Sequence, residues 1–386
     1  MLTINGRVEL VRRWWHSPQT CSLVPADELL DRHGSSITPG VREMACRENQ
    51  GATSFDQAAE NLARLAQVKM SGEQLRLLVE SEGRSVQAAQ QAATLATAWT
   101  AEDCPVTQAG REISEQTRVY VGSDGVMVPV VTQAEKLKRR AKVKAKRRTC
   151  GKKRRPLRPL RPGADQSWKE FKIVYFYDEE LRHQHVAVTH LNHEVAGRLL
   201  RHEADRLGMR RANQRVANVD GAPWIRQQLE YHLPELDGLG LDFYHLSENV
   251  HRARRGVFGD DSPEGKTWTD ELLHTFKHEG YEAAWQRLVQ WRAQLSDSAP
   301  KRKAADRLLK YVSERQEMIR YPEFRSQGWQ IGSGPTEAQC KLTVGRLKGR
   351  SRRWDRLNAS AVAALDSLQR SGQWQKYWQT PGTTAA

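Results

Sequence analysis

The sequence predicts a mixed α+β and α/β fold, in which one core sheet is preceded and interrupted by helices. Three observations predict it. Strand-like alternation begins only near residue 116, strand and helix patterns then alternate up to residue 245, and about 80 further residues look wholly helical. A chain of 386 residues is also long enough for more than one structural unit.

The segment 1–110 is predicted to form a mostly helical region behind an extended, partly β start. Apolar residues of 54–67 share one helical face, with Ser54 as the expected N-cap, and a second helix is predicted at 70–83. So short a connection is typical of a DNA-reading helix-turn-helix and equally of an ordinary αα-hairpin. The sequence leaves both alternatives open.

The core begins with three strand patterns and continues with alternating helices and strands. In order these are strands at 117–123, 168–178 and 182–190, a helix at 193–208, a strand at 214–220, a helix at 222–233 and a strand at 238–245. Three antiparallel strands followed by βαβ units are the plan of a ribonuclease H-like core.

The predicted domain boundaries follow from this order of elements. They are an N-terminal region at 1–110, a first part of the core at 111–245 with an insertion at 136–161, a helical insertion at 246–325, a last part of the core at 326–375 and a flexible tail at 376–386. The last part of the core should carry one long helix that starts near Thr336 and continues through Trp354.

The positive charge of the chain is local. Fifteen of the 61 Lys and Arg residues lie in the segment 136–161, which has no acidic residue, so the remaining 46 balance the 46 Asp and Glu residues. Such a segment indicates a polyanionic partner, contacted through its phosphates or by a flexible arm that becomes ordered on DNA.

Three aspartates follow or end strand patterns of the core. Asp124 and Asp220 each stand before a glycine after an apolar run, and Asp242 lies near the end of the next strand. A lone Asp-Gly of this kind is usually a turn. A βαβ crossover makes the last two strands parallel, however, so their aspartates should share the carboxyl edge of the sheet, where ligand sites are favoured. Asp124 reaches the same edge if the first strand runs parallel to the strand that ends at Asp220.

Carboxylates gathered at one edge repel one another unless a divalent cation lies between them. Glu337 follows "IGSGPT", where a helix should begin, and its place in the first turn suits an anion. Two Mg²⁺ ions held in this way, with Mn²⁺ as a substitute, support in-line displacement at a phosphodiester. The residues therefore predict metal-dependent chemistry on a nucleic-acid backbone.

Five blocks of the sequence resemble the successive motifs of one enzyme family. "YVGSDGVMVPV", "WKEFKIVYFYD", "NVDGAPWI", "LDFYHLSENV" and "IGSGPTEAQCKLTVGRLKGRSRRW" are similar to the blocks of ISKra4-type insertion-sequence transposases, relatives of the DDE transposases with a ribonuclease H-like core. The resemblance covers roughly 110–360. It implies a catalytic, metal-binding triad of Asp124, Asp220 and Glu337, with Asp242 and His245 as second-shell or substrate-positioning residues.

The resemblance further implies a DNA transposase that cleaves at element ends and joins them to target DNA. Its partner would be double-stranded DNA, as terminal inverted repeats and target, and pairing two ends requires at least a homodimer. Two alternatives remain: a catalytically inactive or domesticated DNA-binding derivative, and a ribonuclease H-like nuclease without strand transfer.

The residues expected to contact DNA are mostly basic and lie in two segments. They are Lys138, Arg139, Arg140, Lys142, Lys146, Arg147, Arg148, Lys152, Lys153, Arg154 and Arg155 in the insertion, and Arg346, Lys348, Arg350, Arg352 and Arg353 after Glu337. Trp329, in the glycine-containing loop before Glu337, is the tryptophan best placed to stack on a base.

Composition also bears on location. The five cysteines are far apart and form no CxxC pair, which fits a reducing compartment, and no apolar run approaches the length of a membrane span. No signal segment is seen at the N-terminus. These observations predict a cytoplasmic protein without a membrane partner, and the resemblance to insertion-sequence transposases implies a place at the bacterial nucleoid.

Overall fold

The computed structural model describes residues 1–19, 21–27, 34, 36–108, 111–150, 156–295, 298–349 and 352–379. The chain folds as a mixed α+β protein around a six-stranded mixed sheet. The strands are β1 (Leu2–Thr3), β2 (Gly6–Arg7), β3 (Trp15–Ser17), β4 (Cys21–Leu23), β5 (Pro105–Gln108), β6 (Arg111–Pro129), β7 (Trp168–Tyr177), β8 (Gln184–Thr189), β9 (Gln214–Val219) and β10 (Gly238–Leu241).

The helices make up most of the remaining structure. They are α1 (Pro39–Gly51), α2 (Phe55–Leu65), α3 (Gly72–Gln91), α4 (Gln133–Thr149), α5 (His193–Arg206), α6 (Pro223–His232), α7 (Phe243–Phe258), α8 (Pro263–His278), α9 (Tyr281–Gln294), α10 (Ala299–Ser313), α11 (Tyr321–Ser326), α12 (Gly334–Thr343), α13 (Arg356–Arg370) and α14 (Trp374–Gln379). No helix among the described residues combines the length and apolar character that crossing a membrane requires.

The central sheet has the strand order β10-β9-β6-β7-β8, and β5 pairs with the first part of β6. The strands β6, β7 and β8 are antiparallel neighbours. The strands β9 and β10 run parallel to β6 and to each other, each reached through a helical connection. The strand patterns read from the sequence thus correspond to strands in the predicted chain order, but the last one is shorter than predicted, since β10 ends at Leu241 and α7 begins at Phe243.

The strand β6 differs from the prediction at its far end. The sequence led us to expect a turn at Asp124–Gly125, but β6 continues to Pro129 and pairs with β7 throughout, with Asp124 opposite Ile173 and Gly125 opposite Lys172. The apolar residues on both sides of the Asp-Gly pair explain this, because Val126 and Val128 are buried and hold the strand to the core.

The sheet is covered on both faces, which is why its strands are apolar on both sides. On one face, Val119 and Val121 of β6 pack with α5, α6 and the helical insertion α7–α10. On the other face, Tyr120, Val126 and Val128 pack with a layer that contains α12 and α13. The core therefore continues through the sheet and holds β6 rigidly between two layers.

The helix pair α2–α3, which the sequence left open as a helix-turn-helix, packs as an αα-hairpin in a bundle. The helix α3 packs against α1, α2 and α13. A Cβ at Gly83 of α3 would lie 2.2 Å from the carbonyl oxygen of Ala361, so the two helices are in direct backbone contact. A helix enclosed on these sides has little surface left for a DNA groove.

Three further segments differ from the sequence prediction. The insertion 136–161, expected to be a flexible arm or loop, contains the regular helix α4, capped by the Thr132 side chain. The helix that carries Glu337 ends at Thr343 and does not continue through Trp354. The predicted flexible tail 376–386 begins inside α14, where Tyr377 is buried, and its residues 380–386 lie outside the described part of the chain.

Candidate active site

The structure brings the three strand-associated aspartates to one edge of the sheet. Val121 of β6 pairs with Ala217 of β9, and Asp124 and Asp220 each lie three residues further along these parallel strands. Asp242 follows Leu241, whose partner Val219 directly precedes Asp220. The parallel register therefore aligns the three aspartates at the carboxyl edge, although Asp124 lies within a strand and not at its end.

Asp124 lies in a half-buried position between the sheet and α12. Its Oδ1 accepts a hydrogen bond from the Gly125 N–H at 2.6 Å, and the buried thiol of Cys340 hydrogen-bonds to it. Burial raises the pKa of Asp124, the Gly125 N–H opposes this, and the negative charges of Asp220 and Glu337 raise it further. The carboxylates therefore share one electrostatic environment.

Asp220 is held by the turn that follows β9. Its Oδ1 accepts a hydrogen bond from the Ala222 N–H at 2.8 Å. The next residue, Gly221, has a φ of +79°, and Arg315 donates from Nε to its carbonyl oxygen at 3.1 Å. Glycine is required at this turn, since a side chain would be strained and would meet Arg315.

Asp242 is almost completely buried and caps the N-terminus of α7. Its Oδ1 accepts a hydrogen bond from the His245 N–H at 2.7 Å, and its Oδ2 accepts one from the Ser333 N–H. This carboxylate therefore ties α7 to the loop before α12. Both of its oxygens keep a lone pair for a further partner.

Glu337 lies in the first turn of α12 and faces His245. The distance between Glu337 Oε1 and His245 Nε2 is 3.3 Å, and His245 Nδ1 lies 3.3 Å from an oxygen of Glu248. One ligand atom each from Asp242, His245 and Glu337 lie within 4.8 Å of one another, the single group of this kind among the described residues. The predicted set of Asp124, Asp220 and Glu337 is not gathered within that distance.

The close approach of β6 to α12 fixes the position of Glu337. A Cβ at Gly122 would lie 2.0 Å from Oγ1 of Thr336, the residue before Glu337. Because only glycine leaves room here, α12 rests directly on the strand that carries Asp124. The spacing between these two carboxylates is therefore set by backbone packing and not by flexible side chains.

The donor set suits a divalent cation. Four carboxylates supply the oxygen ligands that Mg²⁺ prefers, and the imidazole of His245 suits transition-metal ions. Within the described ranges, Lys341 is the only Lys or Arg paired with any of these carboxylates; its Nζ lies 3.9 Å from Glu337 and its side chain is 80% exposed. The negative charge is thus poorly compensated by the protein itself.

Sequence reasoning missed residues that the helical insertion brings to this site. Tyr311 of α10 has a pKa raised to about 12 by burial and by the charges of Asp220 and Asp242, among others, while Arg315 opposes this rise. The Tyr311 hydroxyl oxygen is buried and has no hydrogen-bond partner among the described residues. Arg315 lies over the Tyr311 ring at 4.1 Å. No sequence pattern pointed to Tyr311 or Arg315. Cys340, also missed, could have been found, because it lies one helical turn after Glu337 on the same helix.

The basic residues predicted to bind DNA fall into four groups, of which the last, Arg346, Arg352 and Arg353, makes contacts within the chain. Those on α4 lie on a helix with no buried residue: Lys138, Arg139, Arg140, Lys142, Lys146, Arg147 and Arg148. Lys348 is exposed in the turn after α12. Five lie outside the described residues: Lys152, Lys153, Arg154, Arg155 and Arg350.

Arg346 is placed in the core, which contradicts its prediction as a DNA contact. It is buried, donates to the backbone and side-chain oxygens of Asn49, and lies over the rings of Phe55 and Trp354. Burial lowers the pKa of Arg346 to about 10. Its role is to attach the segment after α12 to the N-terminal helices.

Two neighbouring arginines and the predicted stacking tryptophan also have partners within the chain. Arg352 donates to the carbonyl oxygen of Arg346 at 2.6 Å, and Arg353 pairs with Glu135 at 2.8 Å. The half-buried Trp329 donates from Nε1 to Gln214 at 2.9 Å, and its ring packs edge-on against Phe324 at 5.1 Å. Trp329 is thus part of the packing beside β9 and is not presented to a base.

Comparisons with known proteins identify no relative: no protein-family model matches the chain, and no curated protein sequence matches it.

Proposed function

We propose that the protein is a DNA transposase of an insertion sequence, with a ribonuclease H-like core, that cleaves DNA at the element ends and joins them to target DNA. The observation that carries the proposal is the register of β6, β9 and β10. It aligns Asp124, Asp220 and Asp242 at one sheet edge, opposite Glu337. Carboxylates gathered in this way at one sheet edge are suited to hold the metal ions of phosphoryl transfer.

The plan of the sheet supports the fold assignment. Three antiparallel strands, β6, β7 and β8, are followed by β9 and β10, which join the β6 side in parallel through helical connections. The helical insertion lies between β10 and the helix that carries Glu337. That order is the one expected when an insertion precedes the last catalytic residue of a DDE enzyme.

In this proposal Asp124, Asp220 and Glu337 hold Mg²⁺, or Mn²⁺ in its place. When bound, such ions neutralise negative charge that develops on the phosphodiester and orient the reacting oxygens. Asp242 fixes the loop before α12 against α7, and Glu248 orients the imidazole of His245 so that its Nε2 faces Glu337. His245 then holds the Glu337 carboxylate in place at this edge through its Nε2.

The proposed substrate is double-stranded DNA, because the positive charge of the chain is concentrated on α4, which presents no buried residue. Joining one element to a target requires two ends at one complex, so the active species is at least a dimer.

The test is a cleavage and joining assay. The protein is incubated in Mg²⁺ with supercoiled plasmid and an end-labelled duplex that carries candidate element ends, and the cleaved and joined strands are mapped. A transposase cleaves the labelled duplex and joins the 3′ ends that cleavage exposes to the plasmid. Cleavage without joining indicates a nuclease of the same fold, and protection without cleavage indicates an inactive DNA-binding derivative; either result overturns the proposal.

A further inference from the structure

The strands β6 and β7 form a ribbon that leads from the carboxylates to the basic helix. Beyond Asp124, β6 pairs only with β7, as far as Pro129 opposite Trp168, and the pairing is extended by a hydrogen bond from the Val130 N–H to the Ser167 carbonyl oxygen at 2.9 Å. A bridge between Thr132 and Ala164 ends the ribbon. The helix α4 begins at the next residue.

One face of the ribbon packs against the core, and this packing holds the ribbon in its extended form. Val126, Val128 and Phe171 are buried against the layer that contains α12 and α13. The Val131 N–H donates to the Trp354 carbonyl oxygen at 2.8 Å, and the Trp354 N–H donates to Pro129 at 3.1 Å. The eight residue steps from Asp124 to Thr132 span about 26 Å of extended chain.

The base of α4 is also held firmly. Glu135 pairs with Arg353 at 2.8 Å, and Lys136 pairs with Asp355. Lys136 further donates to the carbonyl oxygens of Arg161 and Pro162 at 3.3 and 3.0 Å. We call α4 together with the returning segment 156–162 the basic arm; its inner end is anchored to the C-terminal part of the core.

The two faces of α4 have different roles. Lys136, Arg140, Val143 and Arg147 line a cavity shared with the returning segment, and Arg140 donates to the Arg158 carbonyl oxygen at 2.7 Å. The opposite face carries Lys138, Lys142 and Lys146 at four-residue spacing, with the small residues Ala141 and Ala145 beside them. Glu135, Lys136 and Arg139 of α4 form ion pairs with described residues, and none of these pairs involves the three lysines.

We propose that the outer face of α4 docks into the major groove of B-form DNA about 8 base pairs from the phosphodiester that the carboxylates cut. A helix about 10–12 Å wide fits a groove about 12 Å wide, and small residues between lysines allow close approach. The ribbon length of about 26 Å corresponds to about 8 base pairs at 3.4 Å each. The distance rests on the proposed function, since it takes the carboxylates as the point of cutting.

The shape of the partner follows from the same geometry. The major groove of A-form RNA is deep and narrow and does not admit a helix, so duplex RNA should be a poor partner. The deeply packed helix α3 is not available for this contact, which leaves the basic arm as the main groove-binding element among the described residues.

The first measurement does not depend on catalysis. Binding to a labelled 40-bp duplex of arbitrary sequence is followed by fluorescence anisotropy over a range of salt concentrations, with EDTA present. Lys138→Gln/Lys142→Gln/Lys146→Gln should lower affinity at least about tenfold and reduce the slope of log K against log salt by roughly 2 to 3. The matched control, Lys301→Gln/Lys303→Gln/Lys310→Gln on α10, removes the same charge from an exposed helix and should change affinity less than about twofold.

The groove assignment is overturned if the two triple variants lose DNA affinity equally or if neither loses it. It is also overturned if the wild type binds a 40-bp RNA duplex as tightly as the DNA duplex. The variants should show unchanged thermal unfolding, because every altered side chain is exposed. If the α4 triple variant instead loses affinity for vesicles of anionic lipid and keeps its affinity for DNA, the partner of α4 is a membrane surface and the proposal is overturned.

The second measurement tests the distance. An iron chelate is attached to Lys142→Cys in a Cys21→Ser/Cys150→Ser background, and radical scission is mapped on an end-labelled duplex that the protein nicks in Mg²⁺. The centre of scission should lie about 8 to 12 base pairs from the nick. A centre within about 4 base pairs of the nick contradicts the proposal. If no duplex is nicked, the proposed function fails, while the salt dependence still decides whether α4 binds DNA.

Discussion

Replacing Asp124 with asparagine is expected to reduce Mg²⁺-dependent strand cleavage by about 1000-fold, which corresponds to about 4 kcal/mol of activation free energy. The asparagine side chain keeps an oxygen that can accept the Gly125 N–H. It removes the negative charge that Asp124 shares with Asp220 and Glu337. Cleavage rates are measured by single-turnover kinetics on an intact, end-labelled duplex.

Loss of activity in this variant should not come from unfolding. Because the pKa of Asp124 is raised in the folded protein, its charged form lowers stability at pH values above that pKa, and asparagine removes this effect. The matched control is Asp270→Asn, an exposed carboxylate on α8, which should keep its full rate. Retained cleavage in Asp124→Asn would contradict the assignment of this residue to the metal site.

Replacing Glu82 with glutamine is expected to destabilise the protein by about 3–5 kcal/mol. Arg42 donates from Nε to Glu82 at 2.8 Å, and the Tyr377 hydroxyl donates to the other oxygen at 2.6 Å. The Arg42 and Glu82 side chains are 3% and 0% exposed, so the variant removes a buried negative charge that faces the buried Arg42 guanidinium. The unfolding midpoint should fall by about 4–6 °C, measured by calorimetry or circular dichroism.

The control for this prediction is an exposed ion pair in the same helix. Glu73 of α3 pairs with Arg76 at 2.6 Å but is 65% exposed, so Glu73→Gln should change stability by less than about 1 kcal/mol. Similar midpoints for the Glu82 and Glu73 variants would show that the buried network does not join α1, α3 and α14 as the structure indicates.

Much of the core was predictable because its strands are short, apolar and separated by clear helices. The shared edge of Asp220 and Asp242 follows from the β9-α6-β10 connection, which the sequence pattern reveals. The alignment of Asp124 with Asp220 depends in addition on β6 lying parallel beside β9. The turn expected at Asp124–Gly125 was wrong for a physical reason. The free energy that favours a turn at an Asp-Gly pair is small compared with the free energy gained by burying Val126 and Val128, which follow the pair.

The segment after Glu337 shows where charge patterns mislead. Arg346 and Arg352 belong to a basic run that favours DNA contact, yet Arg346 is buried against Phe55 and Trp354, and Arg352 donates to its backbone. Burial of an arginine depends on aromatic partners far away in sequence, such as Phe55, which no local pattern reveals. The basic helix α4 was predicted by its charge, but not as a helix.

The contribution of the helical insertion to the site could not be predicted. Tyr311 and Arg315 lie roughly 70 residues after Asp242, and their positions depend on how the four helices α7–α10 pack. Arg315 reaches the Gly221 carbonyl oxygen only because α10 lies along α7. Packing between helices of this kind leaves no periodic pattern in the sequence, so the sequence cannot show which Tyr or Arg of the insertion reaches the site.

Manganese binding by the DNA-free protein measures the proposed metal site most directly. The free Mn²⁺ signal is followed by electron paramagnetic resonance during titration of the wild type, of Asp124→Asn/Glu337→Gln and of the Asp270→Asn control. The wild type and the control should bind Mn²⁺ with the same affinity, and the double variant should bind at least about tenfold more weakly. Equal binding by the double variant would contradict a cation site at the carboxyl edge of the sheet.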